Sequence, residues 1–425
     1  MSQRFGLKYL LAAPLLVALL VMIGGRSSGG PVNPTRADLW VPVLSGDFTP
    51  DSTLSSECRA LTEDATNRRI RCYTQAFGNI AYREGGISAM SALMAEASLE
   101  TGGVSDCHVI AHMIGAAAYH GLSGDFARGL AEGSSECESG YYHGLVAAEV
   151  ASHPVSGPEE LGSRTTLACR MYSEGLILNE CYHGIGHVAE HIYDYETPIA
   201  LRSCVAMNEI IVAANDPETT RLEALHSCTQ GVFMENVQAG GGPSQQWIRS
   251  DDPIYPCEEF SEELGVSCWN MVPWRVEAEP GDTVARLTSR RWSVCARASL
   301  ESWREICNDH TTRGIVTLLP TFSVDIYDRA TPAMIASLCA RDPQGTETCF
   351  KSLAFQVVVF YSAVDDAEVI CRAATGDSLL SICGAGIGDA LYFSRLEIER
   401  CDTLSLSALR ISCREAFDSA LRTQE

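Results

Sequence analysis

The sequence predicts an all-α protein made of disulfide-stapled αα-hairpin repeats that stack into a solenoid or a closed toroid. Three observations predict this fold class. The 18 cysteines of the 425-residue chain all lie beyond residue 57 and divide into nine consecutive pairs. Short helical patterns alternate with polar turns over the same region. Cysteines assigned to the second helix of each hairpin recur at irregular intervals of about 30 to 50 residues, a spacing typical of repeat arrays.

The first 25 residues are predicted to be a signal peptide or an N-terminal signal anchor. Arg4 and Lys8 precede an uncharged apolar run over residues 9–24. This run is long for a cleaved signal, and no Ala-x-Ala cleavage site follows it. We therefore expect it to anchor the protein in a membrane, with the remainder exported, although a secreted form stays open.

The rest of the chain is predicted to consist of a linker and one repeat domain. Residues 26–56 contain several glycines and prolines without helical periodicity, which is typical of a flexible linker. Residues 57–425 carry every cysteine and the repeated helical pattern, and are assigned to the αα-repeat domain.

The cysteines are predicted to form disulfides between sequential partners. An even number at repeating spacing, with no Cys-x-x-Cys motif, favours disulfides over zinc ribbons or a redox motif, and export would permit their oxidation. The predicted pairs are Cys58 with Cys72, Cys107 with Cys137, Cys169 with Cys181, Cys204 with Cys228, Cys257 with Cys268, Cys295 with Cys307, Cys339 with Cys349, Cys371 with Cys383, and Cys401 with Cys413.

The stretch around Cys371 illustrates the predicted hairpin. Asp365, Asp366 and Glu368 open a helix. Gly376 then breaks it, and residues 379–394 resume helical periodicity. The first cysteine of a pair therefore ends one helix, and the second lies a turn into the next. Such a hairpin cannot bury its own apolar face, so neighbours must stack. A single irregular α-domain is the alternative.

Helical counting separates a packing face from a histidine face on the second helices. Gly140, Gly184, Gly231 and Gly386 each stand three residues after a cysteine, which predicts close helix–helix approach on that side. Histidines fall in the opposite sector of the wheel. They are His108, His112, His143, His183, His187 and His191.

These six histidines are the candidate metal ligands. Two pairs, His108 with His112 and His183 with His187, have the i, i+4 spacing that places both imidazoles on one helix face. With His143 or His191 as a third ligand, they would suit one zinc, copper or iron ion. Each histidine could instead simply hydrogen-bond within the core, or an unmetallated cluster could sense pH.

An enzyme built on this cluster would need further groups. Glu190 and Glu235 are the candidate general bases, and Arg313 and Asp389 fall in the same helical sector, where they could hold a substrate. The sequence from His183 to His187 lacks the glutamate of a His-Glu-x-x-His motif, so a zincin-type protease is not supported.

The charge balance argues against nucleic acid as a partner. The net charge is −23 and Lys8 and Lys351 are the only lysines, whereas nucleic-acid binding requires a basic surface. We expect a small ligand, a peptide or a partner protein on the concave face that the inner helices of such arrays form. Five tryptophans have two possible roles: they either stack on a sugar or peptide ligand, or they pack in the core. They are Trp247, Trp269, Trp274, Trp292 and Trp303.

Three functions follow from these features. The leading hypothesis is an exported binding protein with a histidine-lined inner face that holds a transition metal. The alternative is a metal-dependent enzyme, hydrolytic or redox, that uses the same histidines. A structural envelope protein is the third, and it predicts that the histidines scatter into separate packing positions.

Overall fold

The computed structural model describes residues 48–61, 66–99, 107–137, 139–172, 175–214, 218–238, 246–279, 281–315, 332–361, 364–394 and 396–422. They belong to one unit that spans Arg36–Glu425. Within these ranges the chain forms α-helices and short 3-10 helices and no β-strand, so the all-α prediction is confirmed. The predicted anchor over residues 9–24, and the predicted linker as far as residue 47, lie outside the described residues.

The helices are numbered here in chain order over the described residues. They are α1 (Ser55–Arg59), α2 (Thr66–Glu84), α3 (Gly86–Leu99), α4 (Cys107–Gly121), α5 (Phe126–Ala131), α6 (Gly140–Ser152), α7 (Pro158–Tyr172), α8 (Gly175–Ile192), α9 (Thr197–Ala213), α10 (Glu218–Gln238), α11 (Glu262–Arg275), α12 (Val284–Cys295), α13 (Glu301–Arg313), α14 (Pro332–Cys339), α15 (Thr346–Tyr361), α16 (Val364–Cys371), α17 (Asp377–Phe393) and α18 (Ser407–Arg422). Short 3-10 helices span Cys257–Glu259 and Ile398–Thr403. Acidic residues open several helices, such as Glu262 and Glu263 in α11, where they offset the positive end of the helix dipole.

The second helices of the hairpins form a row in which each helix packs against the next. Helix α2 contacts α4, α4 contacts α6, α6 contacts α8 and α8 contacts α10, and the series continues through α11, α13, α15, α17 and α18. Shorter first helices, such as α7, α12 and α16, pack on the second helix of their own hairpin. Neighbouring hairpins therefore cover one another's apolar faces, as stacked repeats require. Closure of the row into a solenoid or toroid stays a prediction.

All nine predicted disulfides are present, with Cα–Cα distances of 5.3–5.9 Å, so the pairing of sequential cysteines is confirmed. Most link the end of one helix to the early turns of the next, and each is worth about 3 kcal/mol in the chain-entropy estimate. The bonds join Cys58 to Cys72, Cys107 to Cys137, Cys169 to Cys181, Cys204 to Cys228, Cys257 to Cys268, Cys295 to Cys307, Cys339 to Cys349, Cys371 to Cys383, and Cys401 to Cys413.

The wide pair differs from the other disulfides. Cys107 is the first residue of α4, and Cys137 precedes α6. This disulfide therefore joins the starts of two adjacent second helices and does not staple a first helix to a second one. Its physical effect is to hold α4 beside α6.

Glycines allow the second helices to approach closely, as the sequence predicts. A Cβ on Gly231 in α10 would overlap the carbonyl oxygen of His183 in α8. A Cβ on Gly140 or Gly386 would lie 2.5 Å from a carbonyl oxygen of the preceding second helix. Gly144 in α6, which the sequence analysis did not single out, faces the backbone of α4 in the same way. The close approach brings the side chains of neighbouring helices together.

The last residues of the predicted linker are held against α2. The backbone N–H of Asp51 donates to the side chain of Asn79 at 2.9 Å, and Gln75 donates to the carbonyl oxygen of Thr49 at 3.0 Å. Helix α1 follows directly. Among the described helices, none combines the length and the apolar character that a membrane span needs.

Candidate metal centre and adjoining cavity

Five histidines from three adjacent helices meet in the interior, and together they are called the histidine cluster. They are His108 and His112 on α4, His143 on α6, and His183 and His187 on α8. Contacting ring centroids lie 4.4–6.1 Å apart. The i, i+4 spacing sets each helical pair on one face, and the close packing of α4, α6 and α8 brings those faces together.

Several ring nitrogens are within hydrogen-bond distance of one another. His112 Nε2 lies 3.0 Å from His108 Nε2 and 3.2 Å from His143 Nδ1. On the next helix, His187 Nε2 lies 3.1 Å from His183 Nε2. Each contact is either an N–H···N hydrogen bond between neutral rings or a pair of nitrogens that share one ion.

The outer nitrogens of two rings face oxygen atoms that fix their orientation. His108 Nδ1 is 2.9 Å from the carbonyl oxygen of Cys137, which the disulfide to Cys107 places there. His187 Nδ1 is 2.9 Å from Glu235 Oε2. In both rings the N–H donates outward from Nδ1, so the Nε2 lone pair is directed into the cluster.

A third ring has the same arrangement through its other nitrogen. His143 Nε2 lies 3.4 Å from Glu180 Oε2, which leaves Nδ1 as the inward nitrogen. One nitrogen from each of His108, His143 and His187 lies within 4.8 Å of the other two, so these three rings could hold a metal ion. In each of these three rings the outer nitrogen faces an oxygen atom, and His183 has a comparable hydrogen bond to the backbone of Ser227. Histidine ligands of protein-bound metals are usually oriented in this way.

Burial keeps four of the five imidazoles of the cluster neutral. It lowers the pKa of His112, His143 and His183 well below the usual value, and the neighbouring imidazoles lower these pKa values further. Burial lowers the pKa of His187 to about 3. At neutral pH these rings therefore present uncharged lone pairs, which is the form that binds a metal ion.

Two acidic side chains adjoin the cluster, and both are largely withdrawn from solvent. The exposed fraction of the side chain is 17% for Glu180 and 2% for Glu235. Burial raises the pKa of Glu180 to about 8, although a hydrogen bond from Ser139 acts in the opposite direction. A buried carboxylate of this kind is stabilised by a nearby cation.

His191 does not join the contacts among the five rings. Its Nδ1 is 3.3 Å from the hydroxyl oxygen of Tyr195, and that hydroxyl donates to Glu235 Oε1 at 3.1 Å. Glu235 thus accepts hydrogen bonds from both Tyr195 and His187. His191 is therefore connected to the cluster through Tyr195 and Glu235, behind the rings.

Glu190, the other candidate general base, is fully buried in a separate polar group. It accepts hydrogen bonds from Thr197 Oγ1 at 2.7 Å and from Asn236 Nδ2 at 3.0 Å. Burial raises its pKa to about 8. These contacts give Glu190 a structural explanation that involves no substrate.

A cavity of about 310 Å³ opens beside the cluster. Six consecutive second helices, from α6 to α15, contribute to its wall. The lining residues are Ser135, Ser139, His143, Asn179, Glu180, His183, Gln230, Met234, Asn270, Trp274, Ile306, Asp309, His310, Arg313, Gly314, Gln356 and Val359. His143, His183 and Glu180 thus belong both to the surroundings of the cluster and to the cavity wall.

The two candidate substrate-binding residues differ in position. Arg313 lines the cavity, where its Nε lies 2.7 Å from Asp309 Oδ2. Asp389 instead forms an ion pair with Lys351 at 2.8 Å and is not among the described residues that line the cavity.

Glu180 and His310 are site residues that the sequence analysis did not propose, and Trp274 is the one of the five candidate tryptophans that lines the cavity in the described part of the chain. Glu180 stands three residues before His183, so the helical count that located the histidines could have found it if extended towards the start of α8. His310 stands three residues after Cys307, the position that glycine occupies in other repeats. Its contact with Trp274 depends on the packing of α13 against α11, which no local pattern predicts.

Comparisons with known proteins add no relative. No protein-family model matches the chain, and no curated protein or solved structure matches it either. Function must therefore be inferred from the chemistry of the histidine cluster and the cavity.

Proposed function

We propose that this chain is an extracytoplasmic protein that binds one divalent transition-metal ion on its histidine cluster. One observation carries the proposal: His108, His143 and His187 each turn one nitrogen towards an oxygen acceptor and the other towards a common centre. A set of unrelated packing histidines has no reason to share this polarity. The ligand atoms would be His108 Nε2, His143 Nδ1 and His187 Nε2, with His112 or His183 available as a fourth.

The spacing of the nitrogens can be compared with that of an imidazole-ligated ion. Metal–nitrogen bonds of about 2.0–2.1 Å place neighbouring ligand nitrogens about 3.3–3.4 Å apart in a tetrahedral site, and about 2.8–3.0 Å apart at right angles. The ligand nitrogens of His108, His143 and His187 lie within 4.8 Å of one another, so these three rings would move closer together around zinc, copper or iron. The contacts of His112 with His108 and His143, and of His183 with His187, are already 3.0–3.2 Å.

The local charges also fit a divalent ion. The His143 and His187 rings are neutral, and Glu180 and Glu235 stand at their outer nitrogens. Two carboxylates would balance the two positive charges of the ion. Ion binding would thereby offset the unfavourable burial of both carboxylates.

The location is inferred from the disulfides. Nine disulfides in one chain are typical of a protein outside the reducing cytoplasm. We propose that the apolar run over residues 9–24 either directs export or anchors the protein to a membrane.

A metal-dependent enzyme is the second candidate, and the cavity favours it. His143, His183 and Glu180 line the cavity, so an ion on the cluster would adjoin space for a substrate. Glu180 would be the acid–base group, because it lines the cavity, whereas Glu235 and Glu190 are not among the described lining residues. The scattering of histidines that a purely structural protein predicts is the opposite of the arrangement described above.

Elemental mass spectrometry on the oxidised protein tests the proposal. We expect about one equivalent of zinc, copper or iron after reconstitution, and its loss in the His183→Ala/His187→Ala double variant. His153→Ala is the matched control, because His153 is largely exposed and pairs with Glu149. Absence of a bound ion from the folded parent protein after exposure to all three metals would refute the proposal.

A further inference from the structure

The cavity wall carries an unusual set of primary amides. Among the described residues, the side chains of these amides form no hydrogen bond with another protein group, in contrast to most polar groups of the interior. They are Asn179, Gln230, Asn270 and Gln356, from α8, α10, α11 and α15. Each primary amide offers both donors and an acceptor, which complements hydroxyl groups.

Gln356 directs its amide into the cavity. This residue is only 8% exposed, and it lines the cavity. Its side-chain nitrogen and oxygen are not fully enclosed by protein, so solvent in the cavity reaches them. A molecule in the cavity that accepts from and donates to this amide would take the place of that water.

Trp274 supplies an apolar surface at the same cavity. It is 40% exposed, whereas Trp269, Trp292 and Trp303 are buried in the core. Its indole N–H donates to His310 Nε2, which fixes the ring position. The pKa of His310 is lowered to about 3, mainly by burial and to a smaller extent by the nearby charges of Arg313 and Arg291. The imidazole is therefore neutral and can accept this hydrogen bond.

Arg313 is the cationic group of the cavity wall. It pairs with Asp309 through Nε at 2.7 Å, and Glu180 is the other acidic residue among the described lining residues. In the described part of the chain, the two Nη nitrogens of Arg313 donate no hydrogen bond to another residue. A carboxylate of a molecule in the cavity could therefore bind there.

We infer that the cavity binds a monosaccharide-sized polyhydroxy acid, with its carboxylate at Arg313, its hydroxyls on the four amides and its C–H face on Trp274. The volume of about 310 Å³ corresponds to roughly ten water molecules, which matches a molecule of this size. The inference deepens the proposed binding function and rests on it for the location, because the ligand would lie beside the metal centre. It does not require the metal for binding.

Isothermal titration calorimetry and tryptophan fluorescence test the inference with sodium D-glucuronate and sodium D-gluconate. D-Glucose is the control ligand, because it carries similar hydroxyl groups but no carboxylate. Saturable binding of an acid, with weaker binding of glucose, is the expected result. No saturable signal from either acid up to about 10 mM, where even millimolar binding is detectable, would overturn the inference. Equal binding of glucose would overturn the role of Arg313.

Two variants and one control locate the site. Arg313→Gln should weaken binding of the acid roughly tenfold or more but leave glucose unaffected, whereas Gln356→Leu should weaken both. Arg202→Gln is the control. Arg202 on α9 pairs with Glu159 on α7, and neither residue is among the described residues that line the cavity. If both cavity variants bind the acid like the control, the assigned site is wrong.

Performing the titrations on chelator-treated and zinc-loaded protein separates the two proposals. Acid binding to metal-free protein, with no metal retained on reconstitution, would support this inference and refute the metal centre. Metal retention, with no acid binding to either the metal-free or the zinc-loaded protein, would support the metal centre and refute this inference.

Discussion

Replacing Glu235 by glutamine tests whether a carboxylate beside the histidine cluster strengthens metal binding. Glu235 Oε2 lies 2.9 Å from His187 Nδ1, and the side chain is almost fully buried. Glutamine has nearly the same shape and its carbonyl oxygen can still accept this hydrogen bond. His187 should therefore keep its orientation, and the main change is the loss of one negative charge.

The expected effect is a 10- to 100-fold weaker affinity for the ion. An ion on His187 Nε2 would lie about 6–7 Å from the Glu235 carboxylate, given a metal–nitrogen bond of about 2.0 Å. At an effective dielectric constant of about 20, this separation corresponds to about 2.5 kcal/mol per unit charge. Replacements of groups that orient ligating histidines typically lower affinity by about 10–100-fold, or about 1.4–2.7 kcal/mol.

Competition with a chelator at pH 7 would measure this affinity, and urea unfolding of the metal-free protein would confirm that the fold is retained. Glu149→Gln is the matched control, because Glu149 is also largely buried but accepts from Tyr119 at 2.8 Å, outside the cluster. If Glu235→Gln and Glu149→Gln bind the ion as tightly as the parent protein, the carboxylate has no role in metal binding and the reasoning fails.

Three further changes probe the scaffold. Gly144→Ala forces a Cβ onto the His112 carbonyl, so urea unfolding should show a loss of about 1–3 kcal/mol, and an unchanged midpoint would contradict the close packing. His310 has a pKa lowered to about 3 in the folded state, so as the pH falls the unfolded chain takes up a proton on this residue before the folded protein does. The free energy of unfolding should therefore decrease once the pH is below 6.5, and the contribution of His310 to this decrease is up to about 2 kcal/mol at pH 5. The His310→Gln variant should show a smaller decrease. Replacing Cys107 and Cys137 by serine removes their disulfide and should lower the free energy of unfolding by about 3–4 kcal/mol. Metal binding should also weaken, because the Cys137 carbonyl that faces His108 is no longer held in place. Unchanged metal affinity would show that the disulfide is not needed to position that ring.

The disulfide framework could be predicted from the sequence because it is local. Most partners are separated by 10 to 14 residues, which allows one turn between two helices and little else. The wide pair shows the limit of this reasoning. Its partners, Cys107 and Cys137, were predicted correctly and belong to two second helices, but spacing alone did not show which surfaces of those helices the bond brings together.

The candidate site was predictable only to the extent that it depends on helical periodicity. Spacing on one helix places His183 and His187 on a common face, and the same count assigned His191 to it. The actual position of His191 depends on Tyr195 in the following turn. Asp389 has the expected helical position, but Lys351 on the preceding second helix binds it. Periodicity gives the direction of a side chain and does not give its partner.

The helical class, the disulfide pairing and the sector of the second helices that carries the histidines could thus be deduced without coordinates, because each depends on residues close together in the chain. Three features required the folded protein: α4, α6 and α8 pack closely enough for five imidazoles to meet, Glu180 and Glu235 stand at outer nitrogens of these rings, and a cavity adjoins them. These features join residues more than 200 positions apart, such as Ser135 and Val359 of the cavity wall. Their positions are set by contacts between helices, which a local pattern does not specify.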